Sequence, residues 1–313
     1  MRTYSILAAC LASSAYAWHL QIHNQIAFMA ERLLTPEASS IAARILDPKY
    51  CGSIGKAAAW ADTVRKVGAP YSYNWHFIDL HENVSTSNCS NRWDGVCDDG
   101  DCVVAQIANQ TAILTHCVRR LKGGSYQPDV DCQQALMWVV HFIGDVAQPL
   151  HTSGTAQGGN LVKVLFNGTA TNLHDVWDRL ILYSGTNRTG DFSDKELDPY
   201  FAALLQRINH DSLPVARNHW ARCDFEISKG DHCPKRWAED SHALVCNAVY
   251  HMPFSNTTDL MNTGYARDAF PTAELQLAKA AWRLAGWLNH LVTYTPVDFE
   301  VASNEHQVVL EAR

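Results

Sequence analysis

The sequence predicts an all-α, single-domain protein carrying one small β-hairpin and a set of disulfides. Three observations lead there. Apolar residues recur at helical spacing along most of the chain, strand-like alternation is confined to one short segment, and no repeat or Pro/Ser-rich linker divides it. At 313 residues, with 47% hydrophobic and 18% charged, the chain can bury a sizeable core and is too apolar to be disordered.

Residues 1–17 read as a secretory signal, with Arg2 at the basic end, an apolar run over Ile6 to Leu11, and Ala15-Tyr16-Ala17 as an A-x-A cleavage site. The mature chain then begins at Trp18. No other stretch reaches the roughly 18 to 20 uninterrupted apolar residues that span a bilayer, so a soluble, secreted, extracellular protein with no membrane association is expected. A single domain is assigned to 18–294. Its first helix runs over 23–35, limited by Pro36, and others are expected near 54–66, 103–122, 132–147, 195–208 and 235–249. From Pro271 the apolar positions Leu275, Ala278, Trp282, Ala285 and Leu288 recur at spacings of three and four, which places one stripe against a core. Loops concentrate at 81–102 and at 151–172, where Gly154, Gly158, Gly159 and Gly168 interrupt the pattern. Inside the second, the alternating run Leu161 to Phe166 forms a hairpin arm, and the polar tail 295–313 is a loose extension.

Without Cys10 the mature chain holds nine cysteines, at 51, 89, 97, 102, 117, 132, 223, 233 and 246. An oxidising compartment pairs most of them, and the odd count leaves at least one free or intermolecular. Cys97 and Cys102, separated by the turn-forming Asp98-Asp99-Gly100-Asp101, suit a short local bridge, and Cys223 with Cys233 suits another. Sequons at Asn83, Asn88, Asn109, Asn167, Asn187 and Asn256 fit a glycosylated surface. The formal charge of −7 argues against a polyanionic partner, since proteins that grip nucleic acid usually present a basic surface.

The residues that suggest chemistry lie in His141-Phe-Ile-Gly-Asp145, Gln148-Pro-Leu-His151 and Asn172-Leu-His174-Asp-Val-Trp-Asp178. On a helix, residues four apart share a face, so each His/Asp pair presents an imidazole and a carboxylate together, as two ligands of one metal ion would be. Either pair taken alone is better read as a helix-surface ion pair or a buried histidine bonded to a carboxylate. The apolar surroundings, among them Trp138, Phe142 and Trp177, make an unpaired carboxylate costly there. Trp60-Ala-Asp62 and Asn74-Trp-His76-Phe77-Ile-Asp79 add candidates of the same kind. Cleavage before Trp18 would also free an amine that, with the Trp18 carbonyl oxygen, can chelate a metal next to His23.

Taken in order, these segments resemble the S1/P1 nuclease family over nearly the whole mature chain, together with Gly158-Gly159-Asn160 and the closing Arg283-Leu-Ala-x-Trp-Leu-Asn289. The resemblance implies a helical fold of the phospholipase C/P1 nuclease type holding three zinc ions. One would be bound by Asp62, His76, His141 and Asp145, a second by His151, His174 and Asp178, and a third by Trp18, His23 and a shared Asp145. It implies a secreted endonuclease acting on single-stranded DNA and RNA, and on 3′-nucleotides, as a monomer with no stable protein partner. A metal-activated water would attack phosphorus and break the P–O3′ bond, leaving a 5′-phosphate. Asp62 would assist that water, and Arg65, where many relatives carry Lys, would steady the phosphate through its two-pronged guanidinium. Phe77, Asp79 and Asn160 would bind the base, and bridges Cys89 to Cys246 and Cys97 to Cys102 are implied, with no guide for Cys51, Cys117, Cys132, Cys223 or Cys233. His ligands and the amine bind metal unprotonated, so affinity should fall in acid.

Two departures stand out. Relatives commonly begin Trp-Gly and carry Gly before the first His, whereas His19 follows Trp18 here and Ile22 precedes His23. Zinc-dependent phospholipase C is the nearest alternative, but Asp178, where that family has Glu, and the short step from Trp18 to His23 favour the nuclease. An inactive binding or effector protein on the same fold would be expected to lack part of the ligand set. Asp62, Asp145 and Asp178 are themselves part of the acidic count, so the net charge is partly a metal site seen without its metal.

Overall fold

The structure is a computed structural model that describes residues 18–293, apart from 87, 125–128, 189, 222 and 226 and the side chains of 86, 88 and 90–92. The signal assigned to 1–17 and the extension 295–313 lie outside the described residues.

The fold is all-α. Its helices are α1 (Leu20–Glu31), α2 (Pro36–Ile45), α3 (Ile54–Ala57), α4 (Trp60–Val67), α5 (Val103–Lys122), α6 (Val130–Asp145), α7 (Leu173–Asp175), α8 (Ile181–Gly185), α9 (Pro199–Asn209), α10 (His232–Leu244) and α11 (Tyr265–Thr293). Two antiparallel pairs accompany them, β1 (His81–Asn83) with β2 (Asn88–Arg92) and β3 (Lys163–Phe166) with β4 (Thr169–Asn172). The second pair is the expected hairpin arm. The first lies in a stretch read as loop, because three residues of β1 carry too little alternation to register as a strand.

Pro36 ends one helix by starting the next. It occupies the first turn of α2, where its missing N–H costs nothing, and the Thr35 hydroxyl accepts from Ala38 N at 3.2 Å. The single helix expected over 54–66 breaks at Ala58 and Ala59 into α3 and α4. The closing helix begins at Tyr265 and contains Pro271 rather than starting there. Burial of Tyr265, Ala266 and Ala269 offsets the hydrogen bond that Pro271 forfeits.

Helix α6 runs through the interior, buried without interruption from Ala135 to Asp145. On one side it packs with α2, α4 and α5. A second cluster gathers Trp18, Ile22, Trp177 and the inner face of α11. The closing motif has specific partners. Asn289 accepts from Thr35 N and donates to Leu33 O, Trp287 donates to Thr111 Oγ1, and buried Arg283 donates to Trp220 O and to Asp240. Four disulfides join Cys89 to Cys246, Cys97 to Cys102, Cys117 to Cys132 and Cys223 to Cys233, and exposed Cys51 is unpaired. Asn83, Asn109, Asn167, Asn187 and Asn256 are exposed, while the side chain of Asn88 is outside the described set. No helix among the described residues is long and apolar enough to cross a membrane.

Candidate metal centre

The C-terminal turns of α6 deliver His141 and Asp145 one turn apart, with neither side chain exposed. Asp62 enters from α4, His76 from the 3-10 segment Pro70–His76, and His23 from α1. Around one point, Asp62 Oδ1 lies 3.9 Å from His76 Nδ1 and 3.8 Å from His141 Nε2. Asp145 Oδ2 lies 3.0 Å and 3.4 Å from the same two nitrogens. Ligands bound tetrahedrally at zinc-like distances sit about 3.3–3.4 Å apart, so these four atoms have the spacing of a coordination shell.

The other oxygen of Asp145, Oδ1, is 3.2 Å from His23 Nε2. The His23 ring stacks on His141 with centroids 3.8 Å apart. Proximity alone would let His141 belong with His23 as well as with Asp62 and His76. Its Nδ1 meets the Ala58 carbonyl oxygen at 2.8 Å and must donate there, which leaves one lone pair, on Nε2, for one ion. Asp145 has two oxygens aimed at two groups, so the carboxylate is the shared element. The break between α3 and α4 has its use here, since it frees the Ala58 carbonyl from helical bonding.

A third group forms where His151 Nε2 and His174 Nε2 approach to 3.2 Å and His174 Nε2 lies 3.3 Å from Asp178 Oδ2. His174 and Asp178 are not on a regular α-helix, because Val176–Leu180 is a π-helical turn between α7 and α8. Such turns recur at functional sites, and this one keeps the two side chains in reach. Orientation comes from the backbone. His151 Nδ1 donates to His76 O at 2.7 Å, and His174 Nδ1 to Gly158 O at 2.6 Å. Gly158 has a φ of +57°, and a Cβ there would lie 2.6 Å from the Leu150 carbonyl oxygen. Gln148 Nε2 donates to Asp178 Oδ1 at 2.8 Å.

Trp18 is fully buried beside this third group, and the amide N–H of His19 donates to Asp178 O at 3.2 Å. Ile22 packs into the second core cluster without exposure, so the departure from glycine is absorbed on the α1 side. The space for the His23 ring comes from Gly144 instead, where a Cβ would lie 2.8 Å from His23 Nδ1.

Burial governs the ionisation of the cluster. It pushes Asp62 up to about 7 against the opposing pull of Arg65, and holds Asp145 and Asp178 well above the usual carboxylate range. It lowers His23, His76, His141 and His151 well below the usual imidazole range and His174 to about 4. Several polar atoms have no hydrogen-bond partner despite complete burial, including both Asp62 oxygens, Asp145 Oδ1 and Nε2 of His23 and His141. Buried carboxylates facing bare imidazole lone pairs are costly unless a cation lies between them. The donor set therefore fits divalent metal, and its mixed N/O character suits zinc.

Arg65 is nearly buried, with Nη2 at 3.3 Å from Asp62 Oδ1. Phe77 and Asp79 line one cavity of about 440 Å³ together with Asn74 and the Cys97–Cys102 loop. Asn160 is not among the residues lining it, and its amide donates to Gln157 O at 2.9 Å. Gly144, Gln148 and the carbonyls of Ala58 and Gly158 have roles that composition and spacing did not reveal. Gly144 and Gln148 stood inside the quoted motifs, but their contacts come from distant segments.

A family model described as S1/P1 Nuclease matches residues 18–293. Nuclease PA3 of Penicillium sp is 34% identical over 279 residues, covering 88% of this chain and 97% of that protein. Nuclease P1 of Penicillium citrinum is likewise 34% identical over 279 residues, with the same coverage of each chain. Nuclease S1 of Aspergillus oryzae is 30% identical over 288 residues, covering 91% of this chain and 95% of that one.

Proposed function

The chain belongs to the S1/P1 nuclease family and is a hydrolase of phosphodiester bonds, and from that premise we propose that it cleaves the P–O3′ bond of single-stranded DNA and RNA, leaving 5′-phosphates. The same centre removes phosphate from 3′-nucleotides. Three zinc ions serve it: one on Asp62, His76, His141 and Asp145, one on His151, His174 and Asp178, and one on the Trp18 amine and carbonyl, His23 and Asp145. The observation that supports this best is the carboxylate of Asp145, whose two oxygens face His23 and the His76/His141 pair separately.

When bound, the zinc ions supply a water of lowered pKa and positive charge for the phosphate oxygens. The protein's own groups do the rest. Asp62 carries an oxygen, Oδ2, with no hydrogen-bond partner, which accepts the proton of the attacking water. Arg65 reaches past Asp62 to hold a non-bridging phosphate oxygen, and its guanidinium donates in the plane that two such oxygens define. Phe77 stacks on the base without regard to its identity, and Asp79 accepts from an exocyclic amine. Asn160, on the turn after Gly158 and Gly159, completes base binding by a movement of its amide away from Gln157.

The protein is exported and glycosylated, with 1–17 removed, and acts as a monomer. Four disulfides and the exposed sequon asparagines support that setting. Metal content of the mature protein, measured together with product analysis on a defined single-stranded oligonucleotide, tests the proposal. Three zinc equivalents and chelator-sensitive release of 5′-nucleotides are expected. Full metal occupancy with no turnover on nucleic acid or 3′-nucleotides would sink it.

A further inference from the structure

Beside the metal centre, the segment leading into His76 leaves large apolar side chains in solvent: Val67 is 84% exposed, Tyr71 63% and Tyr73 53%. These fall within seven consecutive positions, whereas others among the described residues, such as Ile113, Val130 and Val215, lie singly along the chain. Single exposed side chains need no explanation, but a group of them next to a cleft marks a binding surface. Tyr73 meets Phe77 edge-on, with centroids 5.7 Å apart, and the Arg65 guanidinium sits 5.5 Å from its ring centre. Tyr71 meets Trp75 edge-on at 5.2 Å.

Phe77 also borders a cavity of another character, to which Tyr73 does not contribute. The cavity is walled by Asp98, Asp99 and Asp101 of the disulfide-closed loop. A phosphate backbone is repelled by that wall and attracted toward Arg65 and its exposed neighbour Lys66. A strand whose base stacks on Phe77 is therefore drawn over Tyr73 and on toward Tyr71. A ring that merely buttressed Phe77 and Arg65 would be enclosed by them, yet half of Tyr73 is open to solvent.

We propose that Tyr73, followed by Tyr71, forms a second base-stacking platform, so that the preferred substrate is a single-stranded oligonucleotide longer than two nucleotides. This rests on the single-strand nuclease reading above. Aromatic faces accept every base, and a nearby cation strengthens the contact.

The test is binding of fluorescent phosphorothioate thymidine dimers and tetramers to the metal-loaded protein, with cleavage of the ordinary oligonucleotides followed in parallel. Tyr73→Ala is expected to weaken the tetramer about 5- to 150-fold and the dimer less than about twofold, and Tyr73→Phe to stay within about twofold of the parent on both. Equal losses on both lengths would make Tyr73 a support for Phe77 and overturn the proposal, as would no loss on either. A parent protein that binds the tetramer more tightly than the dimer but cleaves neither would refute the nuclease reading alone. One that cleaves both and binds them equally would refute the platform alone.

Discussion

Replacing Gly144 by Ala tests the placement of His23 without touching a ligand. The new methyl would lie 2.8 Å from His23 Nδ1 and 3.0 Å from Cε1, where ordinary contact begins at 3.4 Å. The ring must therefore retreat by about 0.6 Å, roughly three times the tolerance of about 0.2 Å on a metal–ligand distance. It has little room, because its far face stacks on His141 at 3.8 Å. The helix itself gains from the change, since Ala is favoured over Gly by about 0.8–1.0 kcal/mol in a helix interior, so folding is preserved. Displacing a ligand through its supporting neighbour typically costs 10- to 100-fold in metal affinity. Native mass spectrometry across a chelator titration should show one of the three equivalents leaving about 10- to 100-fold earlier than in the parent, with the other two unmoved. Gly154→Ala serves as the control, because its Cβ would make only ordinary contacts, the nearest at 3.4 Å. If Gly144→Ala keeps all equivalents at the parental midpoint, His23 does not hold a metal in this arrangement.

Asp145→Asn leaves one ligating oxygen where two are needed, and metal analysis should find two equivalents lost; loss of only one would contradict a shared carboxylate. A residue retained ahead of Trp18 has to enter a site where Trp18 is fully buried and His19 is bonded to Asp178, so one equivalent and the activity should be lost, and full activity would refute the N-terminal ligand. The metal-free protein at pH 6 should bind metal with release of protons from carboxylates and from the Trp18 amine, not from imidazoles. Asp62 is raised to about 7 and is protonated there, whereas His174 is lowered to about 4 and is already neutral. Affinity then falls as pH drops through about 7, by about tenfold per unit for each proton displaced, and calorimetry in buffers of different ionisation enthalpy counts those protons. Burial works against the charge of Asp240, but Arg283 and Lys279 hold it below the usual carboxylate range. Asp240→Ala removes the carboxylate that pairs with fully buried Arg283 and should cost about 3–5 kcal/mol, a fall in Tm of roughly 5–9 °C; an unchanged Tm would refute it.

The acid dependence expected from the sequence was assigned to the histidines and the Trp18 amine, and burial adds Asp62, Asp145 and Asp178 while taking the histidines out of the range near pH 7. Spacing can place a carboxylate beside an imidazole, but only packing reveals that both are dry. Helix α6, which carries His141 and Asp145, was readable because it is long and continuous, as was its neighbour α5. The π-helical turn at Val176–Leu180 was not, since one extra residue leaves the local pattern unchanged. The second helix went unseen because Pro36 reads equally as a stop and as a start, and the Thr35 cap decides between them. Gly144 looked like one glycine among 17, and its role depends on a ring from a segment more than a hundred positions away. Net charge misled for a related reason: the acids counted against a polyanion include those that a cation would neutralise.

The candidate ligands are drawn from Trp18 and α1, α4, α6, the segments around His76 and His151, and α7 with the turn at Asp178, so the site exists only once distant parts of the chain have met. Closing such long loops costs entropy that grows slowly with their length, and an ion that binds only the closed form returns its binding energy to that form alone. A bound ion would thus work as a clasp on the assembled chain, favouring it over any state in which these segments are apart. The stability of the whole domain, and not of the site alone, should then rise with metal concentration, and a chelator should lower the Tm of the metal-loaded protein.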